Sequence, residues 1–169
     1  MSPLEIVIAA ALALTLLEAL ALLLLPKSKT VRVAETVTAR ADAIYPLISD
    51  PTRAPEWVPG CVKGERLTAK DGPARRQRIT YDDGRSAEQQ VTTWLVNQQY
   101  GWKELPAEGP LAEMRVVFTL TERDGITEIE ILGEWTARSL LTKVFANFGQ
   151  PAAARRTFAA MQANIRKHF

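Results

Sequence analysis

The chain opens with an almost unbroken apolar run, from Leu4 to Leu25, closing on Leu22-Leu23-Leu24-Leu25-Pro26. About 20 such residues, rising ~1.5 Å each as a helix, match a hydrocarbon core of ~30 Å. The run predicts a membrane-anchoring helix over residues 1–26, followed by one domain over 27–169. A cleaved signal peptide is the competing reading. Against it, no Lys or Arg precedes the run, and proline and lysine stand where a small-x-small cleavage site belongs. Lys27, Lys29, Arg32 and Arg40 all follow the run, so the positive-inside rule predicts a single-pass protein with its C-terminal domain in the cytoplasm. Glu18 lies deep in the run, on one helical stripe with Ala11, Thr15 and Leu22. That seam is a candidate for helix self-association, set against a Glu18 that is simply protonated.

Beyond a polar hinge at Pro26–Lys29 the pattern shortens. Thr30–Ala39 alternates as a strand does, and Ala41–Ile48 has the spacing of a short helix. Asp50 and Pro51 suit the cap and first position of a second helix, which runs through Trp57 and stops at Pro59-Gly60. Period two then predicts strands near Val62–Lys70, Ala74–Tyr81, Ser86–Val96, Tyr100–Leu105, Glu113–Arg123 and Thr127–Thr136. Turn-forming residues separate them, as in an antiparallel meander. The ending returns to helical spacing, with Leu140, Leu141, Val144, Phe145 and Phe148 before Gly149, and Phe158, Met161 or Gln162, and Ile165 after Pro151.

Alternation divides each strand into two faces. One carries Met114, Val116, Phe118 and Leu120, then Ile129, Ile131, Gly133 and Trp135. The better inner set of the third meander strand is Ala87, Gln89, Val91, Thr93 and Leu95. Tyr100, Trp102 and Glu104 fall together, as do Gln77, Ile79 and Tyr81. An apolar sheet face needs a cover, and the C-terminal helix is the element available for it. A curved sheet gripping one helix leaves a gap suited to an apolar ligand. Ordinary core packing accounts for most of these side chains equally well. The polar members Gln77, Gln89, Thr93 and Glu104 add a little weight to a cavity, because in a dry core they require partners; they could orient a polar head or simply bond to one another.

Composition narrows the chemistry. In 169 residues Cys61 is the one cysteine and His168 the one histidine, so a disulfide, a Cys-His pair or a His-rich metal site is not to be expected. A formal charge of +2 with scattered basic residues does not resemble a nucleic-acid footprint. No cofactor is implied. Arg75, Arg76 and Arg78 form a small basic run, best read as a solvated strand face rather than a site for anionic headgroups.

The stretch Val33–Val37 followed by Ala39–Asp50, and then Pro51–Pro59 around Trp57, resembles the opening of the START-like superfamily, the Bet v 1-like or SRPBCC group often labelled polyketide cyclase/dehydrase. Gly125–Ile129 resembles its late hairpin. The resemblance implies an α+β helix-grip fold: a curved antiparallel sheet of about seven strands wrapped on a long C-terminal helix, with two short helices after the first strand. It further implies an internal cavity for a small hydrophobic ligand such as a lipid, quinone or polyketide. Trp57 then lies near the cavity mouth, or else packs the short helices onto the sheet. Candidate ligand-binding residues are Trp57, Ile79, Tyr81, Val91, Trp102, Glu104, Met114, Val116, Phe118, Ile131, Trp135 and Phe148. The reading that follows is a membrane-tethered binding or transfer module. The alternatives are a cyclase or hydrolase, with Glu104, Tyr81 and Tyr100 as acid/base candidates, and a protein-interaction module.

Overall fold

The period-two stretches become the strands of one antiparallel sheet. The computed structural model describes residues 2, 7–8, 12–13, 15–16, 19–20, 23–67, 75–105, 113–137, 143, 147 and 150–169. Its elements are β1 (Ser28–Val37), α1 (Ala41–Ser49), a 3₁₀ turn (Pro51–Arg53), α2 (Ala54–Trp57), β2 (Cys61–Arg66), β3 (Arg76–Tyr81), β4 (Ser86–Leu95), β5 (Gln99–Glu104), β6 (Glu113–Arg123), β7 (Ile126–Thr136) and α3 (Gln150–Arg166). The seven strands lie in the order β1-β7-β6-β5-β4-β3-β2. The meander therefore leaves β1 to pair with the last strand, from Ser28↔Thr136 to Val37↔Thr127. Asp124 and Gly125 join β6 to β7 with φ of 53° and 78°. Both residues of such a two-residue turn sit at positive φ, where glycine meets no Cβ penalty.

Long-range contacts finish what local sequence begins. Arg40 offers α1 no side-chain cap. Instead the Ala41 amide donates to Glu122 Oε2 on β6 at 2.8 Å, placing a carboxylate at the helix start. Asp50 does cap locally, accepting from the Thr52 amide at 3.1 Å, with Pro51 beginning the turn behind it. Helix α1 buries Ile44, Leu47 and Ile48, while α3 buries Phe158, Met161 and Ile165, all in one core with Phe118, Ile129 and Ile131. At Gly133 on β7 a Cβ would stand 2.6 Å from Phe158 Cε2 and Cζ, so the missing side chain lets α3 rest directly on the sheet there.

The face division of β4 needs correcting. The register slips between Val91 and Thr93, so that Val91 opposes Trp102 while Trp94 opposes Tyr100. This bulge adds one residue and exchanges the two faces beyond it. Trp94 is thereby turned onto Tyr45 and Tyr100, at ring distances of 5.9 and 5.8 Å, and Leu95, expected inside, is exposed.

The expected membrane span, and with it the single-pass placement and cytoplasmic orientation, is also corrected. Among the described residues no helix is long and apolar enough to cross a membrane. Apolar composition prompted the expectation. A span needs, in addition, an uninterrupted apolar helix of about 20 residues. Described helical residues in this segment, including Val7, Leu12, Leu16 and Leu20, are exposed. Of the proposed self-association seam, Ala11, Glu18 and Leu22 lie outside the described residues, and the Thr15 hydroxyl donates to the Leu12 carbonyl at 3.2 Å within its own chain. Leu140, Leu141, Val144, Phe145 and Phe148 lie outside the described residues as well.

Candidate functional site

Between the sheet and α3 lies a cavity of about 170 Å³. Trp102 and Glu104 on β5, Ile79 and Tyr81 on β3, Met114 and Val116 on β6, and Trp135 on β7 supply its sheet wall, together with Gln77 and Gln89. Trp57 and Ala54 contribute from α2, and Ala154, Phe158 and Met161 from α3. The strand side chains converge because they share one pleat face; the helical ones converge because α3 lies across that face.

The candidate residues Trp57, Ile79, Tyr81, Trp102, Glu104, Met114, Val116 and Trp135 all line this space. Phe118 and Ile131 do not: both are fully buried in the core, with Phe118 covered by Trp102 (5.6 Å, stacked) and Trp57 (5.4 Å, edge-on). Val91 is half-buried against the core beside the bulge, and Phe148 lies outside the described residues. Trp57 joins both roles weighed for it, since it packs α2 onto the sheet and also faces the cavity.

The α3 contribution was missed. Helical spacing marks Phe158 and Met161 as an apolar face, but nothing local says which turn of the helix crosses the gap. Phe158 is placed there by its stack on Trp135, at 6.2 Å and 22°, above the bare Gly133.

Polar groups in this wall form a directed thread. The Tyr100 hydroxyl donates to Gln77 Oε1 at 2.8 Å, and Gln77 Nε2 donates to Gln89 Oε1 at 2.7 Å. All three residues are buried, which answers the requirement that inward-facing glutamines find partners. Burial pushes the Tyr100 phenol well above its ordinary range, so it stays a donor. Burial also raises the Glu104 carboxyl, against the opposing charge of Arg85. Tyr81 is pushed up to about 12, by burial first and by the Glu104 charge second. The indole Nε1 atoms of Trp57 and Trp102 find no hydrogen-bond partner among the described residues.

On the other sheet face Arg76 and Arg78 pair with Glu88, at 2.9 and 2.6 Å, and Arg78 with Glu65 at 3.3 Å. Within the basic run, the charges of Arg76 and Arg78 are thus met across strands on a solvated face.

Sheet, short helices and a cavity under the last helix define a helix-grip α+β domain. The family described as "polyketide cyclase / dehydrase and lipid transport" matches residues 28–168, and the chain belongs to it. Among solved structures it is similar to the Zhui aromatase/cyclase from Streptomyces sp. R1128, with a TM-score of 0.68 at 14% identity over 83% of this chain and 93% of that one. A START superfamily protein from Mycobacterium smegmatis gives a TM-score of 0.63 at 16% identity, over 82% and 95% of the two chains. The di-domain ARO/CYC BexL from the BE-7585A biosynthetic pathway gives 0.67 at 15% identity, covering 81% of this chain and 46% of that one. At such identities the likeness establishes the fold alone. No curated protein matches the chain in sequence.

Proposed function

We propose that this domain binds and carries a small hydrophobic ligand in the cavity between its sheet and α3. The observation that carries the reading is the wall itself: Trp57, Trp102, Trp135, Met114, Val116 and Phe158 border about 170 Å³ that no described side chain fills. A void of this size removes dispersion contacts from its lining and weakens the fold by roughly 24 cal/mol per Å³ in engineered cases, so an occupant is stabilising. Its size suits a compact molecule, since ligand pockets usually run ~300–1,000 Å³ and a cavity of ~150 Å³ holds benzene. Solvent extraction of the purified full-length chain, read by mass spectrometry, should recover an apolar compound that is absent from Ala154→Trp. Empty extracts from the parent, together with no small apolar compound that raises its melting temperature more than that of the filled variant, would overturn the reading.

A second reading is turnover of the cyclase type. It is supported by Glu104 and Tyr81 facing the same cavity, and by the cyclase names of two structural neighbours. In that reading Glu104 is the acid/base group, and Glu104→Gln abolishes product formation while ligand remains bound.

A further inference from the structure

The polarity of the thread ending in the cavity wall can be worked out. Tyr100 is 1% exposed and its hydroxyl hydrogen has one acceptor, Gln77 Oε1. Turning the Gln77 amide over would set N–H against O–H and leave that hydrogen without an acceptor. The Gln77 amide nitrogen therefore points to Gln89 Oε1, and the Gln89 amide nitrogen is left as the free end of the thread. Gln89 is only 4% exposed and lines the cavity, yet its Nε2 has no partner among the described residues. Directly across the β4–β5 ladder stands Glu104, whose side chain shares that face and also lines the cavity. Opposed residues bring their Cβ atoms to about 5 Å, so one small group can touch both.

We propose that Gln89 and Glu104 form a two-point reader that admits an uncharged, oxygen-bearing apolar ligand about one ring in size and turns away carboxylates of the same shape. This rests on the cavity being a ligand site, as proposed above. No Lys, Arg or His is among the described lining side chains, and Arg85, the cation whose charge reaches Glu104, stands outside that lining, so a ligand carboxylate would meet the Glu104 carboxyl with no cation inside the cavity. An ammonium group carries only donors and would oppose the Gln89 N–H. A ketone or phenol oxygen accepts from the Gln89 N–H, and a phenol hydroxyl donates to Glu104 as well.

The test uses ethylbenzene, acetophenone, benzoate and 1-phenylethylamine as size-matched probes, titrated calorimetrically against the full-length chain at neutral pH. Acetophenone should bind roughly tenfold or more tightly than ethylbenzene, benzoate or the amine, the worth of one good hydrogen bond. Gln89→Leu should remove most of that preference while ethylbenzene binding persists. Glu104→Gln should raise benzoate affinity about tenfold, a gain that misfolding cannot imitate. Equal binding of acetophenone, benzoate and ethylbenzene overturns the reader and leaves the cavity reading standing. Tightest binding by the amine, or no benzoate gain in Glu104→Gln, also overturns it. If neither ethylbenzene nor acetophenone binds, the cavity reading itself has failed.

Discussion

The seat of α3 on the sheet can be tested by a double-mutant cycle at Gly133 and Phe158. An alanine Cβ at residue 133 would stand 2.6 Å from two ring carbons of Phe158 and 2.8 Å from a ring carbon of Trp135. Carbon contacts are comfortable near ~3.5–4.0 Å, so the ring must retreat by about 1 Å. It cannot swing aside freely, because Trp135 is stacked against it. Gly133→Ala should therefore cost about 1–3 kcal/mol, the usual range for overpacking. Phe158→Ala should cost about 3 kcal/mol, the low end for a buried phenylalanine, because one flank of the ring already borders a cavity. In the double variant the new methyl enters space the ring has vacated, so its strain against Phe158 disappears and only the contact with Trp135 is left. The summed single costs should then exceed the double cost by about 1–3 kcal/mol. Urea unfolding followed by far-ultraviolet circular dichroism is the appropriate assay, since Trp135 fluorescence would report the local change as well. Additivity within about 0.5 kcal/mol would refute the contact, and with it the account of how the helix meets the sheet.

Two further expectations follow from the same geometry. Glu104 binds its proton more tightly folded than unfolded, because burial raises its carboxyl. Its contribution is fully present below the unfolded chain's value, near ~4.3, and is lost as pH rises through the raised folded value. Glu104→Gln should thus gain stability on the parent as pH climbs from about 4 to neutrality. Glu88, lowered by its hydrogen bond from Arg78, runs the opposite way but is common to both proteins. Parallel stability curves for the two would contradict the burial of Glu104. Gly64→Ala should be severely destabilising, beyond about 3 kcal/mol, because its Cβ would fall 1.7 Å from the Pro51 carbonyl oxygen, and backbone cannot move aside cheaply. A urea midpoint close to that of the parent would contradict the close approach of the 3₁₀ turn to β2 at Gly64.

What was legible in the sequence is what depends on near neighbours along the chain. Period two marks strands and assigns their faces, so Ile79, Tyr81, Trp102, Glu104, Met114, Val116 and Trp135 could be grouped before any pairing was known, and all line one cavity. Asp50 with Pro51, and Asp124 with Gly125, carry their turn geometry in two residues. Apolar composition at the N-terminus was legible too, but composition is not helix length, and no described helix meets the demands of a span.

The rest depends on pairing between distant segments, which local pattern does not contain. The slip between Val91 and Thr93 is set by register against β5, and it brings Trp94 inward where strict alternation puts Leu95. Phe158 reaches the cavity because α3 crosses β7 at a glycine, a coincidence of positions 133 and 158. The inward glutamines were visible as an anomaly of alternation. That they form a thread from Tyr100 to Gln89, with a donor left at the cavity wall beside Glu104, required strands β3, β4 and β5 to be laid side by side.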